Sequence, residues 1–177
     1  NASTRRAVAT VPKATRSLPT VTPTRTPTPT PIPSVAATFK GTDATTQGTW
    51  QGVYGSQGAI VIGDTQQLPA SITVTPSGAA EAPWAPSTPD PRAPQKLSAP
   101  TDRVAACWYA PTTFSIDVNI TDGQAHRLAL YLLDFDSTSR SEAISVIDPA
   151  TNAPLDTRIA SGFNGGQYLV WAIRGHV

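Results

Sequence analysis

Residues 114–133 read FSIDVNITDGQAHRLALYLL, and this stretch decides the class of fold. From Phe114 to Ile120, apolar residues alternate with polar ones, which is the period of a strand with one buried face. Asp122 and Gly123 follow, and an Asp-Gly pair between two such runs is a strong signal for a β-hairpin. The run from Arg127 to Leu133 is apolar on both faces, so we expect it to lie in the middle of a sheet.

Outside this stretch, residues 41–177 consist of short runs rich in β-branched and aromatic residues, separated by turn signals. No segment shows helical periodicity over ten residues with caps. We therefore predict an all-β domain over 41–177, a β-sandwich of Ig-like or jelly-roll type. The predicted strands lie near Thr49–Tyr54, Ala59–Ile62, Ser71–Thr75, Arg103–Ala110, Phe114–Ile120, His126–Asp134, Ala143–Asp148, Asp156–Ala160 and Gln167–Arg174.

A Pro-rich stretch from Glu81 to Arg103 carries Trp84 and is too long for a plain connection between strands. We predict a loop that crosses one end of the sandwich. Trp84 would pack on the core, or contact a glycan or a partner protein. Trp108 and Trp171 lie in apolar strands and are expected in the core.

Residues 19–33 contain six Thr and six Pro. Because proline fixes φ and lacks a backbone donor, this segment is predicted to form an extended polyproline II linker, which we assign to 19–40. Its fifteen Thr/Pro-rich residues would span about 45 Å at about 3.1 Å each.

Closely spaced Thr next to Pro is also typical of O-glycosylated stalks. The O-glycosylation candidates are Thr20, Thr22, Thr24, Thr26, Thr28 and Thr30. Apart from such covalent glycans, the sequence predicts no cofactor.

Residues 1–18 form a separate N-terminal arm with a short strand-like run. The run consists of Arg5, Arg6, Ala7, Val8, Ala9, Thr10 and Val11. It is too short to bury anything alone, so it is either disordered or a strand that needs a host sheet.

Charge is divided unevenly along the chain. Residues 1–40 contain six bases and no acid, whereas residues 41–177 carry a formal charge of −5. One interpretation is attraction between the arm of one subunit and the body of another, and the alternative is a solubilising tail. A nucleic acid partner is not expected, because the bases are widely spaced and no aromatic residue precedes Phe39.

Seven motifs in the body carry a resemblance to a known kind of module. They are DPRA (90–93), CWY (107–109), FSIDV (114–118), DGQAHR (122–127), LDFD (133–136), LDTR (155–158) and GQYLVW (166–171). Over residues 41–177 the chain resembles an uncharacterised β-sandwich module of bacterial secreted and surface proteins. The resemblance implies an extracellular or cell-surface location, and it implies one more strand after the motif that matches Gly175–Val177.

The sandwich is therefore expected to lack its final strand. An unfilled slot exposes apolar side chains and unpaired backbone groups, and an arm with strand character could fill it by β-strand addition. The layout resembles that of a subunit of a donor-strand-exchange, pilus-like fibre, in which the protein is its own partner. The competing explanation is that the last strand exists beyond this sequence. Because the sequence contains no Met, we expect a processed chain or a fragment.

The alternative function is that of a carbohydrate-binding module on a Thr/Pro linker, with a polysaccharide as the partner. An enzyme is not expected. The only histidines are His126 and His176, no Gly-x-Ser-x-Gly motif occurs, and Cys107 beside Trp108 reads as a buried, inert thiol. The longest apolar run has six residues, so no membrane span is predicted.

Two weaker signals complete the candidate sites. Asp134 and Asp136 have the alternate spacing of a calcium loop, but Arg140 nearby favours a local ion pair or turn, so no metal is expected. Asn119 begins an Asn-Ile-Thr acceptor pattern on the polar side of its predicted strand, which makes it a candidate for N-glycosylation.

Overall fold

The computed structural model describes residues 35–177, which form an all-β, sandwich-like fold as predicted. A short 3-10 helix, Phe163–Gly165, is the one helical element in this range. The strands are β1 Ala36–Asp43, β2 Ala59–Ile60, β3 Gln66–Gln67, β4 Ile72–Ser77, β5 Ala80–Ala85, β6 Ala105–Tyr109, β7 Ser115–Ile120, β8 Ala125–Leu132, β9 Ser141–Asp148, β10 Ala153–Ser161 and β11 Gln167–Arg174.

The centre of the fold is an antiparallel sheet in the order β1-β11-β8. Both faces of this sheet are covered, because alternate residues of β11 pack into two different clusters. Leu169, Trp171 and Ile173 pack in one cluster, and Tyr168 and Val170 pack in the other. The sheet therefore lies between two hydrophobic cores.

The main core lies between this sheet and two further strand pairs, β4–β7 and the hairpin β9–β10. Val118 and Ile120 of β7 are buried in it, together with Val146 of β9 and Ala160 of β10. The second core is formed by Trp50, Val61 and Val104 with the other face of the sheet. The indole of Trp50 is fixed there by a 2.8 Å hydrogen bond from Nε1 to the carbonyl oxygen of Gln95.

The predicted hairpin at Asp122 and Gly123 is wrong. β7 pairs with β4 and β8 pairs with β11, so the turn carries the chain from one layer of the fold to another. The prediction that β8 lies in the middle of a sheet is also wrong. Within residues 35–177, β8 pairs with β11 alone, and it is apolar on both faces because a core covers each face.

Three further predictions differ from the structure. The segment Thr49–Tyr54 is a turn and not a strand, with the N–H groups of Val53 and Tyr54 bonded to the carbonyl of Trp50. Trp84 lies in β5 and not in a loop. β1 begins at Ala36, inside the segment assigned to the linker, so strand structure starts before the predicted domain boundary.

Candidate functional site

The two sides of β7 are paired to different extents. On one side, β4 pairs with the whole strand, from Ile72 opposite Ile120 to Ser77 opposite Ser115. On the other side, Gly175–Val177 pair with the C-terminal half only. Val118 and Val177 exchange N–H···O bonds of 2.8 and 2.9 Å, and the N–H of Ile120 donates to the carbonyl of Gly175 at 3.1 Å.

This pairing fixes the direction of the remaining backbone groups of β7. In an antiparallel ladder, alternate residues direct their N–H and C=O groups to the same side. Because Val118 and Ile120 bond to Gly175–Val177, the N–H and C=O of Ile116 point to that side too. Among residues 35–177 these two groups have no hydrogen-bond partner. We call this side of Ser115–Asp117 the open edge.

At the open edge, β7 has one apolar face and one polar face. Val118 and Ile120 are buried in the main core, whereas Ile116 is half-buried at the point where Gly175–Val177 no longer cover the strand. Asp117 and Asn119 lie on the opposite, outward face. There Nε2 of His176 lies 2.6 Å from Oδ2 of Asp117, and both side chains are about half exposed.

Other strands of the molecule carry features that hinder pairing with a further strand. Pro76 in β4 stands opposite Ile116, whose N–H and C=O point away from β4. The nitrogen of Pro76 therefore points away from β7, and proline has no N–H to donate there. β5 contains Pro83, and β1 has a bulge between Phe39 and Gly41. Proline and bulges are common devices that protect exposed strands from pairing. The open edge has neither, and among residues 35–177 the unpaired sides of β8 and β9 also have neither.

Trp84, the candidate for a glycan or partner contact, lies in a stack of aromatic and arginine side chains. Its ring centroid is 6.0 Å from that of Phe135, and the guanidinium of Arg140 lies 5.8 Å from its ring. Arg92 lies 4.9 Å from the ring of Phe135 and forms an ion pair of 2.7 Å with Asp90. The indole is half-buried, and these contacts occupy part of its surface.

Asp134 and Asp136 share the guanidinium of Arg140, which is the local ion pair that the sequence favours over a calcium loop. Asp134 is only 1% exposed and also accepts bonds from the N–H and hydroxyl of Ser137 at 3.1 and 2.8 Å. Burial alone would raise the pKa of Asp134, but the bonds from Ser137 and Arg140 hold it below its ordinary value. Residues 35–177 contain no cluster of three or more His, Cys, Asp or Glu that could hold a metal ion.

The remaining candidate residues are dispersed over the molecule. Asn119 lies on the outward face of β7. It stands opposite Thr73 of β4 and forms an isolated antiparallel β-bridge with His176. Cys107 is half-buried in β6, and burial raises the pKa of its thiol. His126 forms a contact of 2.8 Å with Asp122.

Some predicted features fall outside the range that the structure describes. The donor-strand residues Arg5–Val11 and the O-glycosylation candidates Thr20–Thr30 lie outside residues 35–177. The open edge itself was not predicted, because the pairing of Gly175–Val177 with β7 joins residues nearly sixty positions apart. The sequence points to this part of the molecule only through the resemblance, which implies a further strand after Gly175–Val177.

Comparisons with protein-family models, curated proteins and solved structures gave no match to this chain. The resemblance to a bacterial surface module therefore stays a hypothesis. Among the described residues, no helix has the length and apolar character needed to cross a membrane.

Proposed function

We propose that this protein is a structural subunit of an extracellular bacterial fibre, assembled when the N-terminal arm of one copy pairs with a strand of another copy. The observation that supports this proposal is that, among residues 35–177, strand pairing on one side of β7 extends over its C-terminal half only. β-Strand addition satisfies such an edge, since main-chain hydrogen bonds provide the affinity and alternate side chains provide the specificity.

The arm has the properties that this mechanism requires of a donor. Its strand-like run, Arg5–Val11, is β-branched and apolar at alternate positions, and it contains no acid and no proline. The positive arm and the negative body attract one another during encounter. When each copy donates an arm and accepts one at a different surface, the contact is head-to-tail, and it produces an open filament where the rotation between copies does not close into a ring. This function requires neither catalysis nor a cofactor.

The Thr/Pro linker would set the distance between the donor arm and its own body. Its predicted length of about 45 Å allows the arm to reach beyond the surface of its own subunit. O-glycans on the linker would stiffen it and protect it from proteases. Sugars on Thr20–Thr30 are expected to add whole sugar increments to the mass of the peptide that contains these residues, in protein from its native source. An unmodified mass would contradict the glycosylation.

Deletion of residues 1–18 is expected to abolish filaments. The experiment compares the full chain with this variant by negative-stain microscopy and size-exclusion chromatography. A matched control lacks residues 1–4 only, so that the N-terminus is shortened while Arg5–Val11 remain. Filaments from the full chain and the control, and monomers from the deletion, would support the proposal.

Two results would contradict it. If filaments form without residues 1–18, the arm is not the donor. If the full chain is monomeric and binds polysaccharide in a pull-down, the alternative function of a carbohydrate-binding module is favoured.

A further inference from the structure

A cavity open to solvent lies beside the second core, between two short segments of the chain. Residues 55–59 line one part of it, residues 67–69 line another, and Leu97 completes the lining. Its volume is about 320 Å³, at the lower end of the range for small-ligand sites. We infer that this cavity binds one residue of a neutral sugar. The inference goes beyond the proposed fibre and does not depend on the assembly of copies.

The walls of the cavity are held in place before any ligand arrives. Ala59 pairs with Gln67 across β2 and β3, which joins the two lining segments. The loop before β2 runs directly against the other wall at Gly58, where a Cβ would lie 2.9 Å from the carbonyl oxygen of Gln67. The carboxylate of Asp64 accepts a bond of 2.7 Å from the N–H of Leu97, and Ala59 and Leu97 pack on the second core. A site built in this way loses little conformational entropy when a ligand binds.

Three side chains of the lining carry hydrogen-bonding groups, and these groups are largely free. They are Ser56, Gln57 and Gln67. Within residues 35–177, the hydroxyl of Ser56 and the amide of Gln67 form no hydrogen bond, and all three residues are exposed. Gln57 uses only its Oε1, which lies 3.2 Å from Nδ1 of His126. Because a hydroxyl and an amide both donate and accept, the cavity offers both kinds of group to a ligand.

The chemistry of the lining selects the class of ligand. None of the nine lining residues is charged, so a charged ligand would lose hydration without gaining an opposite charge. A purely apolar ligand would leave the three polar side chains unpaired. Ala59, Leu68, Pro69 and Leu97 provide aliphatic surface in the same lining. A neutral sugar carries hydroxyl groups around a ring with apolar C–H faces, so it fits both parts of this lining.

The lining also sets the expected strength of binding. No aromatic residue lines the cavity, so a sugar would gain no stacking contact there. For a ligand of this size we expect a Kd on the order of 1 mM. Where copies assemble, repeated sites along a fibre would hold a polysaccharide more tightly than one site holds one sugar residue.

Saturation-transfer NMR on the full chain tests the inference, because it detects weak binding to monomers and to filaments alike. The probes are the methyl glycosides of glucose, galactose and mannose. The charged comparisons are the methyl glycosides of glucuronate and glucosamine. We expect saturable transfer to at least one neutral probe with a Kd on the order of 1 mM, and a Kd at least about fivefold higher for the charged sugars.

Two neighbouring glutamines of β3 provide a variant and its matched control. Gln67→Leu keeps a side chain of similar size and removes the amide, so the Kd for the neutral probe is expected to rise about fivefold. Gln66→Leu changes the other residue of the same strand, which does not line the cavity, and should leave the Kd unchanged. Ser56→Ala removes a hydroxyl from the other lining segment and should raise the Kd by a similar factor.

The outcomes separate this inference from the proposed function. A lack of saturable transfer to every neutral probe would overturn the inference. An unchanged Kd with both Gln67→Leu and Ser56→Ala would overturn it too, since the sugar would then bind elsewhere on the molecule. Equal or tighter binding of the charged sugars, or of a capped, uncharged dipeptide, would show that the cavity takes another class of ligand. None of these readouts requires filaments, so failure of the fibre proposal leaves the test intact.

Discussion

Replacing Trp171 with alanine is expected to lower the free energy of unfolding by about 3–5 kcal/mol, the usual loss for a large aromatic residue in a core. Trp171 is 1% exposed and lies in β11, which is paired on both sides. Its ring meets that of Phe39 edge-to-face with centroids 5.4 Å apart. Its indole N–H donates to Oδ2 of Asp156 at 2.6 Å. Alanine removes all of these contacts and leaves a cavity in the main core.

Two control variants separate the parts of this effect. Trp171→Phe keeps most of the apolar volume but removes the hydrogen bond to Asp156, so its loss should be smaller, about 1–2 kcal/mol. Trp108→Ala removes a tryptophan that is only half-buried, at the pair β5–β6, and should also cost less. Urea unfolding followed by fluorescence measures all three. A loss below about 1 kcal/mol for Trp171→Ala would contradict the placement of this residue in the centre of the fold.

The class of fold could be predicted because the signals for single strands are local. The alternation from Phe114 to Ile120 reflects one buried face, and β7 does bury Val118 and Ile120. The pairing of strands could not be predicted in the same way. Asp122 and Gly123 form the same kind of turn whether the next strand returns to its neighbour or crosses to another layer. The partner of β7 is β4, whose residues Ile72 and Val74 pack on the main core from more than forty positions away.

Two of the predictions fail for one physical reason: the amino-acid composition of a segment does not by itself determine its conformation. Pro83 made its surroundings read as a loop, but a proline is tolerated in β5 because this strand pairs with β6 alone within residues 35–177. The apolar character of both faces of β8 predicts a central position in a sheet. In the structure it reflects two cores, with Leu130 on one face and Tyr131 on the other.

The candidate site depends on the least predictable part of the pairing. Three residues, Gly175–Val177, are too few to give a strand signal, yet their bonds with Val118 and Ile120 determine how much of β7 is paired within residues 35–177. The donor arm has the opposite character, because its alternation is visible in the sequence while its partner is not. Sequence and structure therefore each supply one half of the proposed contact.

Gly166, where the 3-10 helix leads into β11, is expected to be intolerant of a single added methyl group. Gly166 has φ +82°, and a Cβ there would lie 1.8 Å from the hydroxyl oxygen of Tyr131. Tyr131 cannot move aside without loss, because its ring packs on Tyr168 at 4.5 Å and its hydroxyl donates to the carbonyl of Arg92 at 2.7 Å. At Gly166 ψ is 132°, outside the left-handed helical region, and such a sparsely populated conformation costs alanine about 1–3 kcal/mol; forced overpacking costs about 1–3 more.

Gly166→Ala is therefore expected to destabilise the protein by about 2–6 kcal/mol, and two nearby glycines serve as controls. Gly165→Ala meets no atom within 4 Å and has no positive φ, so it should be close to neutral. Gly162→Ala also meets open space but lies in the left-handed helical region, with φ +65° and ψ 29°, so it should show the cost of that backbone region alone. Urea midpoints should fall in the order Gly165, Gly162, Gly166. Equal losses at Gly162 and Gly166 would mean that the Tyr131 hydroxyl yields freely, and that the junction of β8, β11 and the second core is looser than its contacts indicate.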